Sequence, residues 1–266
     1  MRSIFVTLAV FITVSAASAQ VCVPAPYGIV SWYPAETNAQ DVVSSNNGSV
    51  NGSVTFGPGK VRQAFQFHGQ PNDGINLGNV AAFDFSSTSS FSIEAWVNVT
   101  SYANTGSNDG FMIVTLNYTC TAQTPAAEVL AIQLPSRGAI FMVRDANSQQ
   151  VNLLSSMKIP AGVWTHLVAV RDASCSPKKV YLYVNGVLSS SANDPTGASG
   201  ASLANTGPDY IGRRMTCGTN NPFNGGIDEV SIYSRALTEC EIKALYNAGC
   251  AGKCRPGTCP AAGCGC

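Results

Sequence analysis

The sequence predicts an all-β chain: a two-sheet antiparallel sandwich carrying one short helix near its C-terminal end. Short apolar runs recur between polar breaks along most of the 266 residues. In Phe91 to Val99, Phe91, Ile93, Ala95 and Val97 fall on one face, the two-residue period of a strand packed on a core. Asn185-Gly186 joins two further apolar runs, and that pair marks a tight hairpin because both turn positions take positive φ.

The elements follow in order. Met1-Arg2-Ser3 gives a short positive start, Ile4 to Val14 an apolar run, and Ala17-Ser18-Ala19 a small-x-small cleavage pattern. Residues 1–19 are therefore expected to be a cleaved export signal, too short to span a bilayer, which takes roughly 20 apolar residues. Nothing later resembles a membrane span, so the sequence implies a secreted, soluble product. Ser44 to Ser53, which repeats Asn-Gly-Ser-Val, has the chemistry of a loop. After Phe91–Val99 come strand-like runs at Phe111 to Leu116, Glu128 to Leu134, Ala139 to Val143, Trp164 to Val170 and Lys179 to Val184, then Val187-Leu188 beyond the turn. Thr238-Glu239-Cys240-Glu241 is a capping box. It opens a helix with Ile242, Leu245 and Tyr246 on one face and Gly249 as its stop. Residues 20–249 thus form the expected domain. Residues 250–266 form a tail rich in cysteine and small residues, with no large apolar side chain to bury.

Charge excludes some partners. Lys plus Arg and Asp plus Glu are 15 each, only 11% of the chain together. Such a surface lacks the clustered cations that nucleic acid or anionic lipid requires.

Gly28-Ile-Val-Ser-Trp32-Tyr-Pro34, and Phe56-Gly-Pro-Gly-Lys-Val61 with Gln63-Ala-Phe-Gln-Phe67, resemble the first strand and the next hairpin of the laminin-G-like (concanavalin-A-like lectin/glucanase) jelly-roll family. Phe91-Ser-Ile-Glu-Ala-Trp-Val97, Trp164-Thr-His-Leu-Val-Ala169 and Tyr183-Val-Asn-Gly186 resemble three later strands. Phe223-Asn-Gly-Gly-Ile-Asp-Glu-Val230, followed by Tyr233 and Arg235-Ala-Leu237, is the most specific. The resemblance covers about residues 28–249 and implies a jelly roll. For function it implies binding of carbohydrate or an extracellular protein partner.

Hydrolysis of glycosides needs two carboxyl groups flanking the bond. The glucanase relatives carry Glu-x-Asp-x-x-Glu on one strand, whereas here Glu94 stands alone. A strand carboxylate bonded to Trp or backbone groups is the expected role of Glu94. Asp228 and Glu229 are adjacent, so on a strand they are expected to point to opposite faces. His166 is expected to be a packed strand histidine, and no Gly-x-Ser-x-Gly elbow occurs. The sequence therefore names no catalytic residue. The alternatives are a diverged polysaccharide-degrading sandwich and a disulfide-linked structural or adhesion component.

The resemblance also implies a calcium site, with Asp73 and Asp228 as candidate ligands. His68, where relatives carry aspartate, removes one hard oxygen donor, and Ca²⁺ takes roughly 6–8. The competing roles are a turn bond for Asp73 and a strand-end cap for Asp228. Tyr102, Tyr118, Tyr210 and Phe223 are candidate sugar-stacking aromatics, though such residues are more often packing than binding, and Arg213-Arg214 is a candidate basic rim whose default is a solvated loop.

The ten cysteines (Cys22, Cys120, Cys175, Cys217, Cys240, Cys250, Cys254, Cys259, Cys264 and Cys266) are expected to form disulfides, which export preserves. The tail lacks a CxxC pair or nearby histidine, which disfavours a metal site. Because jelly-roll termini meet, the resemblance implies a bridge from Cys22 to the C-terminal region. Asn47, Asn51, Asn98 and Asn117 open sequons.

Overall fold

A computed structural model of the chain describes residues 21–102, 110–117, 127–134, 136–198, 200–204, 207–214 and 222–255. The expected leader, Tyr118, and Cys120, Cys217, Cys259, Cys264 and Cys266 lie outside the described residues.

In chain order the strands are β1 (Ile29–Tyr33), β2 (Ser49–Asn51), β3 (Thr55–Pro58), β4 (Gln63–His68), β5 (Gly74–Gly78), β6 (Phe91–Val99), β7 (Phe111–Leu116), β8 (Ala127–Ile132), β9 (Gly138–Arg144), β10 (Gln150–Lys158), β11 (Thr165–Asp172), β12 (Lys179–Val184), β13 (Val187–Asn193), β14 (Asp209–Ile211) and β15 (Asn224–Tyr233). Helix α1 spans Glu239–Ala248. One sheet has the order β13-β12-β11-β6-β15-β4-β3, with β1 also pairing β15, and the other β10-β9-β8-β7-β14-β5-β2. The two sheets press together over the inward residues of each, among them Phe65, Phe91, Ile93, Ile113, Phe141 and Ile227. Each such fully buried side chain contributes about 1.5–3 kcal/mol. Among the described residues no helix is long and apolar enough to cross a membrane.

The Asn185-Gly186 turn has both residues at positive φ, as the hairpin between β12 and β13 requires. Two expectations need correction. The Asn-Gly-Ser segment is not all loop, since Ser49–Asn51 pairs with β5 as an edge strand. Asp228 and Glu229 do not point to opposite faces. The register between β15 and β6 shifts between Asp228 and Ser231, and Glu229 sits at φ 55. This bulge, one extra residue against the partner strand, turns both carboxylates to the outer face.

A second apolar layer covers part of that outer face. Val168, Val170, Tyr183 and Tyr233 on the sheet meet Leu237, Ile242 and Leu245 around α1. The Thr238–Glu241 capping box is formed in both directions. Packing then continues past Gly249. Lys253 makes a parallel bridge with Val23, and Cys254 is bonded to Cys22. The N-terminal segment and residues 252–254 together strap the sheet.

Candidate functional site

A buried polar cluster lies beneath that strap. Alternation along β6 sends Glu94 and Trp96 outward while Ile93 and Ala95 face the core. On β11, His166 stands opposite Trp96, which places its Nε2 3.2 Å from Glu94 Oε1. Tyr233 on β15 donates its hydroxyl to Glu94 Oε2 at 2.7 Å. The strap supplies the cation: Lys253 Nζ lies 3.2 Å from each Glu94 oxygen and 3.0 Å from Glu229 Oε2. The Trp32 indole N–H donates to Glu229 Oε2 at 3.0 Å, and the Lys253 ammonium lies 5.2 Å from the Trp32 ring centre. Glu94, His166, Glu229 and Lys253 are all buried, Lys253 to 5% exposure.

Burial raises the cost of every charge here, so the partners decide each ionisation. Burial pushes Glu94 up, but Lys253, His166 and Tyr233 outweigh it and hold the carboxyl down to about 2. Lys253 is raised because Glu94 and Glu229 overcome its own desolvation. Glu229 is raised, chiefly by burial, with Lys253 opposing. Asp228 is pushed up to about 8 by burial and then by the neighbouring Glu229. Its Oδ2 accepts from the Val61 N–H at 2.8 Å, while its Oδ1 is buried without a partner among the described residues.

The cluster thus resembles an acid pair without being arranged as one. Glu94 and Glu229 share one ammonium rather than flanking a groove. The adjoining pocket, of about 80 Å³, presents Arg62, Lys253 and Arg255 with Val61 and the disulfide, and no carboxylate lines it. Glu94 is bonded to Tyr233, His166 and Lys253 rather than to Trp or backbone groups, and Glu229 takes the Trp32 indole instead. His166 is the packed strand histidine expected. Lys253 carried no usable signal, because it lies in a tail that reads as unable to build a core.

The calcium candidates are not brought together. Asp73 Oδ1 accepts from the Ser53 N–H and hydroxyl, and Oδ2 from the His68 and Gln70 N–H groups. Its carboxylate pins a turn and has four protein donors where a cation would sit. Burial opposes but those hydrogen bonds win, and the Asp73 pKa is lowered. Asp228 shares none of these partners and caps no strand end; it serves the turn at Val61 from within β15. Among the described residues no three His, Cys, Asp or Glu side chains converge as a metal site. Asp73 and Asp228 therefore do not fit a shared calcium ion.

The aromatic candidates are packed. Tyr102 donates to Ile159 O at 2.8 Å beneath the Arg137 guanidinium, Phe223 is in the core, and Arg213 lies over Tyr210. Among the cysteines, Cys22–Cys254 is the link from the N-terminus to the C-terminal region, and Cys240 is also disulfide-bonded. Cys175 departs from expectation. It is a free thiol whose Sγ donates to Asp172 Oδ2 at 3.3 Å, held within its own turn. Asn117 is buried, with its amide donating to Phe83 O at 3.2 Å, whereas Asn47 is exposed.

Comparison with known proteins gives a consistent result. A family profile described as the concanavalin A-like lectin/glucanases superfamily matches residues 68–243. No curated protein sequence matches. Among solved structures, the binding domain of Paraclostridial Mosquitocidal Protein 1 aligns with TM-score 0.65 at 19% identity, over 83% of this chain and 52% of that one. Domain 4 of AbnA, a GH43 extracellular arabinanase from Geobacillus stearothermophilus solved with arabinotriose, aligns at 0.59 and 22% identity, over 81% and 96%. A botulinum neurotoxin serotype D ligand-binding domain solved with N-acetylneuraminic acid aligns at 0.56 and 15%, over 82% and 50%. The chain spans about half the length of the toxin domains it matches. These likenesses establish a shared fold.

Proposed function

The chain belongs to the concanavalin A-like lectin/glucanase superfamily, and from that premise we propose that it is an exported, non-catalytic recognition module that binds carbohydrate. The observation that carries this reading is the state of its outer-face acids. Glu94 and Glu229 are both paired with one lysine under a disulfide-held strap, and all three side chains are buried. A retaining or inverting glycosidase needs its two carboxyl groups on either side of an accessible bond. The arabinotriose and N-acetylneuraminic acid of the two solved relatives support carbohydrate as the ligand class.

In this reading residues 1–19 are the cleaved signal, and the sandwich occupies 20–249 with the strap fastened across it. An oxidising compartment suits a chain of ten cysteines and preserves the Cys22–Cys254 link. A glycan array probed with the oxidised chain, alongside a reducing-sugar release assay on polysaccharides, tests it. Saturable glycan binding without hydrolysis is expected. Turnover of any polysaccharide, or binding to no glycan at all, would overturn it.

A further inference from the structure

Beyond the strap, the same outer face of the eight-stranded sheet is uncovered by α1 and changes character. Asn98 on β6 stands opposite Gly226 on β15, Gly226 opposite Gln66 on β4, and Gln66 opposite Thr55 on β3. These positions form one row across four strands, roughly 14 Å long at the usual strand spacing. The next outward row pairs Asn224 with His68. Neither row contains a carboxylate, a lysine or an arginine.

Gly226 is the telling residue. Its backbone does not require glycine by φ, yet an added Cβ would lie 2.7 Å from Trp164 Cη2 and 3.1 Å from Cζ2. The bare backbone is therefore the seat of the Trp164 indole, which crosses the gap in the row and remains half-buried. Around it, polar capacity is left over. Gln66 donates to Pro58 O at 3.1 Å, which leaves its side-chain oxygen available. Among the described residues, nothing hydrogen-bonds the side chains of Asn98 or Asn224 or the Trp164 indole N–H.

We propose that Trp164, Asn98, Gln66 and Asn224 form a subsite for a neutral, linear oligosaccharide. This rests on the carbohydrate-binding reading above. Amide side chains both donate and accept, which suits hydroxyl groups. An indole offers a flat apolar body with one polar edge, which suits the alternating apolar and polar surface of a sugar ring. Neither row holds an arginine or lysine to grip an anionic glycan, and Lys60 lies over the Trp96 ring in the adjoining row.

The probes are arabinotriose, xylotriose and cellotriose, with sialyllactose as the anionic comparison. Protein made without N-glycans is used, since Asn98 opens a sequon. Trp32 and Trp96 are buried, so Trp164 reports binding through its fluorescence. A neutral trisaccharide is expected to shift that emission. Trp164→Ala and Asn98→Ala are each expected to weaken binding about tenfold or more, the value of one well-made hydrogen bond or its equivalent in contact. Should Trp164→Ala fail to fold, the Asn98→Ala and Asn224→Ala pair decides. Neutral-glycan affinity unchanged in these variants would overturn the subsite while leaving the carbohydrate reading intact. Preference for sialyllactose would overturn the neutral ligand. No binding by the wild type to these probes or the array would remove the functional reading itself.

Discussion

Glu94 and Asn98 are four residues apart on β6, about 13 Å along one strand, and both point outward from the same sheet. At Glu94 the face is sealed by α1 and the strap, and it carries two buried glutamates, an aspartate and a lysine. At Asn98 it carries amides and a tryptophan seated on glycine, with no charged side chain in the row. The difference shows what covering a sheet face demands. Once water is removed, a carboxylate needs a cation and donors, and the strap delivers Lys253 to that point. Where water remains, amides need no partner inside the protein and stay free for one outside it.

The comparison is broken most sharply at Lys253. Lys253→Ala strands Glu94 and Glu229 without their cation, and removing one partner of a buried pair costs about 3–5 kcal/mol. Urea unfolding at neutral pH should show that loss; an unchanged midpoint would mean the acids are not held by this lysine. Next in size is the fastening. Replacing Cys22 and Cys254 by serine opens a link spanning 232 residues of sequence. A loss of about 2–4 kcal/mol is expected, measurable as a lower unfolding midpoint that reductant no longer affects as it does in the wild type.

A third effect concerns pH. Burial, then Glu229, places Asp228 at about 8 in the folded chain, above its ordinary aspartate value. A raised folded value means that the stability associated with its proton is present at low pH and fades as pH climbs towards 8. Asp228→Asn, which can still accept from Val61, should therefore gain on the wild type in thermal midpoint as pH rises from 5 to about 8. A gap independent of pH would show that Asp228 is already ionised. Glu94 works in the other direction. Held down to about 2, it contributes stability that is lost as the medium is acidified below the usual glutamate range.

How much of this was legible beforehand depended on distance along the chain. The β6 strand and the capped helix were readable because alternation and the Thr238–Glu241 box are local signals. The β12–β13 hairpin was readable from Asn185-Gly186 alone. β10 (Gln150–Lys158) was missed, since its outward positions mix Asn152 with Leu154 and blur the alternation. The pairing of Asp228 with Glu229 on one face was hidden by the bulge, because nothing in the residue types announces a glutamate at φ 55. The meeting of the termini pointed to the Cys22 bridge but not to Lys253, because a lysine in a tail without large apolar residues gives no sign of burial, and Gly226 had no visible reason until Trp164 lay on it. Family motifs located the strands, while the chemistry of their outer faces came from contacts between distant segments.

Hydrogen exchange with and without the neutral oligosaccharide selected by the array tests the division of this face most directly. Slowed exchange is expected around residues 66–68, 98–100, 164–166 and 224–226, with 252–254 unchanged. Protection centred instead on the strap, with none near Trp164, would contradict it.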